Sequence, residues 1–403
     1  MQETIRLFDA DPYGRTFESS ILRAMVPEDR LSGEGNTLTI QVVLEKTLFF
    51  PEEGGQTPDQ GTLGGCPVTD VQTEGGVITH TVQVPSERAG DFAPGRTLAG
   101  AIDWDRRFSN MQHHSGEHIV SGLLHSTYGF NNIGFRLSQN TVTLDFDGRL
   151  EPEQLYEIEE KANEVVYRNL PILAEYPDPE SLSSMEYRSK KEIEGDVRIV
   201  TIPGVDACAC CAPHVKRTGE IGLIRIMKIQ HTGEGTRLTI VSGRRALQLT
   251  RTLQGALEEV SRLTSRPQEE IGEGVRILQE ENAALRFKIG ELERQITRLK
   301  VQAVRPGERN VFLAEQSMSP LAQRDLVNSL CRERGGMCGV FVGSDREGYK
   351  FIIGGGDKDA RKGAAALREA FGARGGGKRE MVQGSVTAPF ARIEECLIQI
   401  CKV

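Results

Sequence analysis

Two short segments of the chain carry metal-binding side chains at the same spacing, and this repeat constrains the fold more than any other feature. His114 and His118 are four residues apart, and so are Cys210 and His214. On a helix, the two histidines would lie on one face about one turn apart, so they could share an ion. Thiolate and imidazole are ligands of zinc, and two such pairs give a tetrahedral set. A chain that uses all four must bring two distant segments together.

Other interpretations of these segments remain open at this stage. Two histidines at this spacing also occur as solvent-facing or core residues, and Cys208 and Cys211 compete with Cys210 as ligands. Residues 114–118 also match the H-x-x-E-H signature of the inverzincin metalloproteases, in which the glutamate is the general base. A Cys/His pair in place of a carboxylate ligand counts against a protease, and so does Gly116, which weakens the helix.

Composition limits the class of protein. The 403 residues are enough for several domains, and they contain neither a long apolar run nor an apolar leader with a basic start. We therefore expect no membrane span, no secretion and a cytoplasmic protein. Eight cysteines, bunched or scattered, indicate reduced thiols or metal ligands rather than a disulfide framework. With a formal net charge of −8, a nucleic-acid partner must be bound by local basic surface.

Residues 1–95 predict short strands joined by turns. Apolar side chains alternate at Leu38, Ile40 and Val42, and residues 77–84 repeat the pattern after a pair of glycines. Several such strands with glycine punctuation are typical of a small β-barrel or sandwich.

Residues 96–243 mix helical and strand patterns, so the expected class is α+β. Apolar residues at helical spacing follow Ser109 and Asn110, either of which can serve as an N-cap. Strands are expected at 141–146 and 221–227, and a helix at 151–169.

Residues 244–302 form a separate helical module, in which apolar residues recur at spacings of four and three. This is a coiled-coil register, and leucines fill most of one core position as in parallel dimers. The other core position holds Val275, Asn282, Ile289 and Ile296. In a dimer, the register sets Glu281 against Arg286 and Lys288 against Glu293 of the partner helix.

An intramolecular hairpin competes with this dimer. Residues 249–263 are also amphipathic and end just before Pro267, so they could fold back on the second helix. Both arrangements can hold at once, and we favour a homodimer.

Residues 303–403 return to mixed patterning, which predicts an α/β domain. Two strands around a turn, a helix and a final helix are expected over residues 335–403. Gly375, Gly376, Gly377 and Lys378 could present backbone N–H groups and an ammonium group to a phosphate, or could form only a flexible loop.

Motifs along the whole chain resemble those of one family. The sequences HSGEH and CCAPHVKRTGEIG, with PEEGGQTPDQG upstream and EGTRLTIVSGRRA downstream, are similar to the editing domain of alanyl-tRNA synthetase and its free-standing relatives, the AlaX proteins. RGGGKREMVQGS is similar to the glycine-rich motif of the DHH-associated domain that ends alanyl-tRNA synthetase and the long AlaX form. The long AlaX type is the most similar.

The resemblance implies an architecture and a site. It implies an N-terminal β-barrel, a zinc-containing α+β editing domain, a long helical module and a C-terminal α/β DHH-associated domain. It assigns one zinc ion to His114, His118, Cys210 and His214. It likens Thr47 and Gln56 to residues that line the pocket where the reaction occurs, whereas Gly54 and Gly55 fit a loop that approaches the substrate. It supports tRNA contacts by Gly376, Gly377 and Lys378. Cys211-Ala212-Pro213 departs from the small glycine-rich residues common in the synthetases, and this departure concerns the shape of the pocket rather than the ligands.

The activity implied is trans-editing, the ATP-independent hydrolysis of Ser-tRNA(Ala), and in some members of Gly-tRNA(Ala). Zinc would either hold the terminal nucleotide or lower the pKa of bound water. Alanine lacks only the hydroxyl group of serine, so discrimination needs a polar contact to that group.

Two other classes of protein fit part of the pattern. A non-catalytic RNA-binding protein with a structural zinc would keep the C-terminal features and need no pocket. A fragment of a synthetase is the other candidate, but Met1 opens directly on the β-rich segment, so we expect a free-standing protein.

Overall fold

The computed structural model describes residues 3–26, 36–138, 141–189, 195–233 and 235–402. They form two compact units, Met1–Ala256 and Leu257–Val403, of mixed α+β class as predicted. Glu234, the first residue of one motif quoted above, lies outside the described residues. None of the helices described is long and apolar enough to cross a membrane. The finer division at residues 95, 243 and 302 stays a prediction.

The first unit opens with a six-stranded closed barrel. A short strand β1 (Ile5–Arg6) and helix α1 (Leu7–Ala10) precede it, and β1 pairs in parallel with β4 (Lys46–Thr47). The barrel strands are β2 (Thr16–Met25), β3 (Thr37–Leu44), β5 (Gly61–Leu63), β6 (Cys66–Glu74), β7 (Val77–Pro85) and β8 (Thr97–Ile102). Their order around the barrel is β2-β3-β7-β6-β5-β8. The alternating Ile40 and Val42 point into the barrel core, because successive strand residues face opposite sides.

The remaining elements of the first unit form two sheets and the helices packed on them. They are α2 (Trp104–Tyr128), β9 (Asn132–Leu137), β10 (Val142–Phe146), α3 (Pro152–Tyr167), β11 (Leu173–Glu175), α4 (Pro179–Ser184), β12 (Ile199–Ile202), β13 (Asp206–Ala209), β14 (Ile224–Thr232) and β15 (Gly235–Ser242). One sheet has the order β14-β15-β10-β9 and the other β11-β12-β13. Apolar residues of α2, such as Ile119 and Leu124, share a core with Leu144 and Ile240 of the first sheet.

Helix α2 begins earlier than its apolar pattern predicts. Ser109 and Asn110 lie inside the helix, and the N-cap is Asp103, whose side chain accepts a hydrogen bond from the backbone N–H of Arg106 at 3.1 Å. The pattern missed the first turns because they contain Arg107, which is fully buried although it is charged. Its burial depends on an ion pair with a distant residue, which periodicity cannot reveal.

The strand expected at 221–227 also begins later, at Ile224. Residues Thr218–Ile221 form a 3-10 turn, and Gly222 follows it with φ +80°. Only a residue that tolerates positive φ continues the chain at this point, so the strand cannot start before the glycine.

Two long helices follow, α5 (Gly243–Thr264) and α6 (Ile271–Ala303). The predicted core residues of the coiled coil are exposed on α6, with Leu285 61% and Ile289 56% exposed. One predicted charge pair has a different partner, because Glu293 accepts hydrogen bonds from the backbone N–H and the hydroxyl of Ser319. The coiled coil itself stays a prediction.

The second unit contains a five-stranded sheet. Its elements after α6 are β16 (Val311–Glu315), α7 (Pro320–Arg334), β17 (Cys338–Ser344), β18 (Gly348–Gly354), α8 (Ala360–Phe371), β19 (Arg374–Gly377), β20 (Met381–Val386) and α9 (Phe390–Lys402). The sheet order is β16-β17-β18-β20-β19, with β16 and β17 parallel. The hairpin of β17 and β18 and the helices α8 and α9 match the sequence patterns.

Candidate metal centre

Helix α2 carries the two histidines on one face. The ring centroids of His114 and His118 are 5.5 Å apart, and both side chains are almost completely buried. Gly116 between them allows the helix to lie close to the end of β15, because a Cβ at this position would reach 2.5 Å from Oγ of Ser242. The glycine therefore contributes to packing, although it lowers the intrinsic helix propensity.

Cys210 and His214 meet through a bend that follows β13, not through a helix. Arg198 fixes this bend from inside, since its guanidinium donates to the carbonyl oxygens of Cys210 at 3.0 Å and Ala212 at 2.9 Å. Ala212 is fully buried in the barrel core, which anchors the middle of the bend.

The four predicted ligands converge. One ligand atom of each of His114, His118, Cys210 and His214 lies within 4.8 Å of those of the other three. Sγ of Cys210 is 3.5 Å from Nε2 of His114 and 3.3 Å from Nε2 of His214. This cluster can hold a metal ion.

The outward-facing nitrogen of each imidazole has a partner of its own. Nδ1 of His114 lies 2.8 Å from Oε1 of Gln56, Nδ1 of His118 lies 2.8 Å from Oδ2 of Asp206, and Nδ1 of His214 lies 3.0 Å from Oγ of Ser115. Amide and carboxylate oxygens accept, so His114 and His118 carry their protons on Nδ1. Their lone pairs are then on Nε2, the atom that faces the cluster, which is the usual arrangement of metal-binding histidines.

The protonation states suit a cation. Burial raises the pKa of the Cys210 thiol well above its usual range, and neighbouring Cys211 adds to the effect. Burial also lowers the pKa of His214, and His118 and His114 lower it further. The imidazole is therefore neutral, as a ligand must be, whereas the thiol needs a bound cation to ionise. One sulfur and three imidazole nitrogens are a donor set that fits zinc.

Gln56 and the glycine turn lie beside the cluster. Gln56 is fully buried, and its Nε2 has no hydrogen-bond partner among the described residues. Gly55 has φ +84°, and its carbonyl oxygen accepts from the N–H of Leu137 at 2.8 Å. Gly54, at φ +62°, faces Cys211, whose Sγ would be 3.4 Å from a Cβ at this position.

Thr47 lies in the barrel interior. It is fully buried, its hydroxyl lies 2.9 Å from Nε2 of His80, and it accepts a hydrogen bond from the N–H of Phe49 at 3.0 Å. Its proposed role in the pocket stays a prediction.

The other titratable residues of the two motifs lie around the cluster. His113 faces the sheet, where its Nε2 accepts from the N–H of Ser242 at 3.1 Å, and burial lowers its pKa to about 4. Oε1 of Glu117 accepts from Ser121 and Asn132, and its Oε2 is 3.8 Å from Nε2 of His118. These two donors hold one carboxylate oxygen on the side of α2 that faces β9.

The C-terminal residues predicted to bind tRNA belong to the second unit. Gly376 and Gly377 lie in strand β19, at the edge of the sheet, and the N–H of Lys378 donates to the carbonyl oxygen of Met381 in the turn that follows. The glycine run is thus a strand rather than a flexible loop. Together with Arg324, these three residues line a shallow cavity of about 300 Å³.

Sequence patterns did not reveal Ser115, Asp206 or Arg198 as parts of the site. Ser115 lies within the histidine motif and Asp206 four residues before Cys210, so position along the chain was the one available signal. Their roles depend on which strand ends lie next to α2.

The fold and the site together define an α+β protein with a barrel, a buried His/Cys cluster and a separate C-terminal sheet. Two family models match the chain: "tRNA synthetases class II (A)" at residues 13–106, and "Threonyl and Alanyl tRNA synthetase second additional domain" at residues 197–238. The second match includes Cys210 and His214.

Relatives of two kinds align with the chain. The alanine–tRNA ligase of Pyrococcus abyssi is 30% identical over 426 residues, which cover 100% of this chain and 44% of the ligase. The alanyl-tRNA editing protein Aarsd1 of Rattus norvegicus is 26% identical over 408 residues, 98% of this chain and 97% of that protein. The alanyl-tRNA editing protein AlaX-L of Pyrococcus horikoshii is 27% identical over 310 residues, 74% of this chain and 73% of that protein. The chain thus spans less than half the length of the ligase but nearly all of the rat editing protein. Over most of its length the chain is thus similar to alanyl-tRNA editing proteins as well as to part of an alanine–tRNA ligase.

Proposed function

We propose that this protein is an aminoacyl-tRNA deacylase, which hydrolyses tRNA(Ala) mischarged with serine or glycine. The observation that carries the proposal is the buried amide of Gln56. Its Oε1 contacts His114, while its Nε2 has no partner within the described chain. Buried donors are almost always satisfied, so an unpaired donor beside a metal cluster indicates a place for a ligand oxygen. Since its substrate is a tRNA, we expect the protein to act in the cytoplasm.

The cofactor that fits is one zinc ion, held by His114, His118, Cys210 and His214. When bound, zinc supplies a Lewis acid that can polarise an ester carbonyl group or lower the pKa of water.

The chain's own residues bind and orient the ester. Nε2 of Gln56 is placed to donate to an oxygen of the aminoacyl group, and such a donor stabilises the negative charge that develops as the ester is attacked. Gly54 and Gly55 let the backbone pass close to the substrate, since neither carries a side chain. Thr47 is our candidate for recognition of the serine hydroxyl group. A site that hydrogen-bonds that hydroxyl disfavours alanine, which has no group to make the contact.

Deacylation assays test the proposal. Ser-, Gly- and Ala-tRNA(Ala) are incubated with the wild-type protein, with His114→Ala and with Gln56→Ala. We expect the wild type to hydrolyse the seryl or glycyl ester and spare the alanyl ester, and we expect Gln56→Ala to lower kcat by about 100-fold or more. Gln83→Ala serves as the control, because the Gln83 amide bonds Thr39 within the barrel. Survival of both mischarged tRNAs with the wild-type protein would refute the proposal.

A non-catalytic RNA-binding protein is the second candidate. The burial of the three histidines favours it, because a closed set of four ligands is typical of structural zinc. The two candidates differ in one result. If zinc is only structural, His114→Ala lowers stability, and the wild-type protein shows no turnover of any charged tRNA.

We further propose that α6 forms a parallel homodimer and that the β19 edge contacts the tRNA backbone. Exposed leucines along α6 support the dimer, because a stripe of this kind is normally covered. Arg324 and Lys378 beside the glycine strand support the tRNA contact. Lys378→Ala should weaken tRNA binding equally for all acylation states and reduce its salt dependence.

A further inference from the structure

We infer that Asp206 is a positioning residue of the metal centre, which fixes the ring orientation and the tautomer of His118 and is itself held by Arg188. The inference rests on the zinc ion of the proposed function. Oδ2 of Asp206 lies 2.8 Å from Nδ1 of His118, and both residues are buried. A carboxylate at this distance accepts a hydrogen bond from the Nδ1–H group and so directs Nε2 towards the other ligands.

Arg188 gives this carboxylate a single orientation. Its Nε donates to Oδ1 of Asp206 at 2.7 Å, and its Nη2 donates to Oδ2 at 2.9 Å. The backbone of Arg188 is tied to β13 as well, since its N–H donates to Ala207 at 2.8 Å and its carbonyl accepts from Ala209 at 2.9 Å. A two-bond ion pair on a fixed backbone leaves the carboxylate no second rotamer with equal contacts.

Gly122 sets the distance between the helix and Asp206. It lies one turn after His118 on α2, and a Cβ at this position would lie 2.7 Å from the Cβ of Asp206 and would also overlap the carbonyl oxygen of Val205. Only glycine lets α2 approach closely enough for the hydrogen bond between Asp206 and His118. Gly122, Arg188 and Asp206, which belong to three different segments, thus all support the hydrogen bond between Asp206 and His118.

A second metal ion explains this contact less well. His118, Asp206 and Cys208 also lie close enough to share an ion. However, Arg188 already supplies a positive charge to both oxygens of Asp206, and Nδ1 of His118 uses its proton for the same carboxylate. A cation there would have to displace both partners.

Arg188 also shields the contact from water. Arg188 and Asp206 line an open cavity of about 590 Å³ together with His125, Asn131 and Asn132. Without the guanidinium, water in this cavity could reach the carboxylate and compete with His118 for it. The ion pair therefore closes the wall between the cavity and the metal centre.

The inference is tested by measuring the zinc affinity in competition with a chromophoric chelator. The visible spectrum of the Co²⁺-substituted protein gives a second readout of ligand geometry. We expect Asp206→Asn to lower zinc affinity about 10- to 100-fold and to change the cobalt spectrum. Asp145→Asn is the matched control, because Asp145 forms the same two-bond pair with Arg237, at 2.7 and 2.8 Å, without touching a ligand of the cluster. Gly122→Ala, which changes no charge, should also lower zinc affinity.

A double variant separates positioning from folding. Asp206→Asn leaves the half-buried Arg188 without its charged partner, which destabilises the fold, whereas Asp206→Asn/Arg188→Gln removes both charges. We expect the double variant to regain thermal stability but to keep the weakened zinc affinity. Recovery of both would show that Asp206 acts only on stability and would overturn the inference, and so would an unchanged affinity in folded Asp206→Asn. If even the wild-type protein binds no zinc, the metal of the proposed function fails instead.

Discussion

Oε1 of Gln56 lies 2.8 Å from Nδ1 of His114, so a residue of the glycine turn holds the first histidine of the cluster on α2. The turn is fixed in its own right, because the N–H of Gln56 donates to Glu53 at 3.1 Å and Gly55 pairs with Leu137. This turn, which precedes the barrel strand β5, thus contacts both helix α2 and strand β9 of the sheet. A shift of the turn should change the metal centre even if the ligands remain intact.

Gly55→Ala tests this coupling. The residue has φ +84°, and an added Cβ would overlap the carbonyl oxygen of Phe135, so the turn must move. We expect deacylation to fall at least tenfold while the protein stays folded. Gly54→Ala is the matched variant, since its φ is also positive, at +62°, but its Cβ would meet only Sγ of Cys211 at 3.4 Å. Equal losses in the two variants would contradict a role for the turn in holding Gln56.

The proximity of the two histidines could be predicted from the sequence because their spacing expresses local geometry. His114 and His118 share a helix face wherever that helix lies, and the pattern of apolar residues around them indicates the helix. The start of the same helix could not be predicted, because Arg107 interrupts the pattern and is buried only through its distant partner Asp59. Whether a charged side chain can occupy a core position depends on its partners in the folded structure, which a local sequence pattern does not contain.

The supporting residues were hidden for a similar reason. Asp206 ends near His118 because β13 lies beside α2, and this neighbourhood follows from sheet order. The sequence shows Asp206 only as an acidic residue four positions before Cys210, and acidic residues are common in loops. Residues whose arrangement follows from local spacing can be identified from the sequence, whereas residues that orient them from distant segments cannot.

The buried pair of Arg107 and Asp59 should dominate the stability of the first unit. Both side chains are 0% exposed, and Arg107 also donates to the carbonyl oxygens of Pro12 and Leu48. Arg107→Met leaves the carboxylate buried and unpaired, so we expect the free energy of unfolding to fall by about 3–5 kcal/mol. Urea denaturation measures this.

Lys161→Met is the control for this prediction, because Lys161 pairs with Glu157 on the surface of α3. We expect no measurable change for it. In Arg107→Met/Asp59→Leu, both charges are gone, and part of the lost stability should return. A small effect of Arg107→Met alone would show that water reaches the Asp59 carboxylate.

His80 should make stability depend on pH. Burial lowers the pKa of His80 to about 4, against an ordinary value of 6.5, although a hydrogen bond to the backbone of Val42 raises it in part. The unfolded chain therefore binds the proton at higher pH than the folded chain, and stability falls as pH drops from about 6.5 to about 4. Between pH 7 and pH 5 this amounts to roughly 2 kcal/mol.

The comparison that isolates this effect is wild type against His80→Gln, by urea denaturation at both pH values. Loss of a metal ion in acid affects both proteins, so it cancels in the difference. We expect the variant to lose less stability between pH 7 and pH 5 than the wild type. His231→Gln, at an exposed position on β14, should behave as the wild type does. Parallel pH profiles of wild type and His80→Gln would show that folding does not lower the pKa of His80.

The exposed stripe of α6 allows a matched test of the homodimer. Leu285 and Phe287 are exposed to nearly the same extent, 61% and 66%, but the heptad register places Leu285 at a core position and Phe287 on the outer face. Leu285→Asp puts a charge into the proposed interface, so we expect the mass in solution, measured by light scattering after gel filtration, to halve. Phe287→Asp introduces the same charge and should leave the dimer intact. If the wild type is already monomeric, or if both variants dissociate alike, the stripe does not mediate a parallel coiled coil.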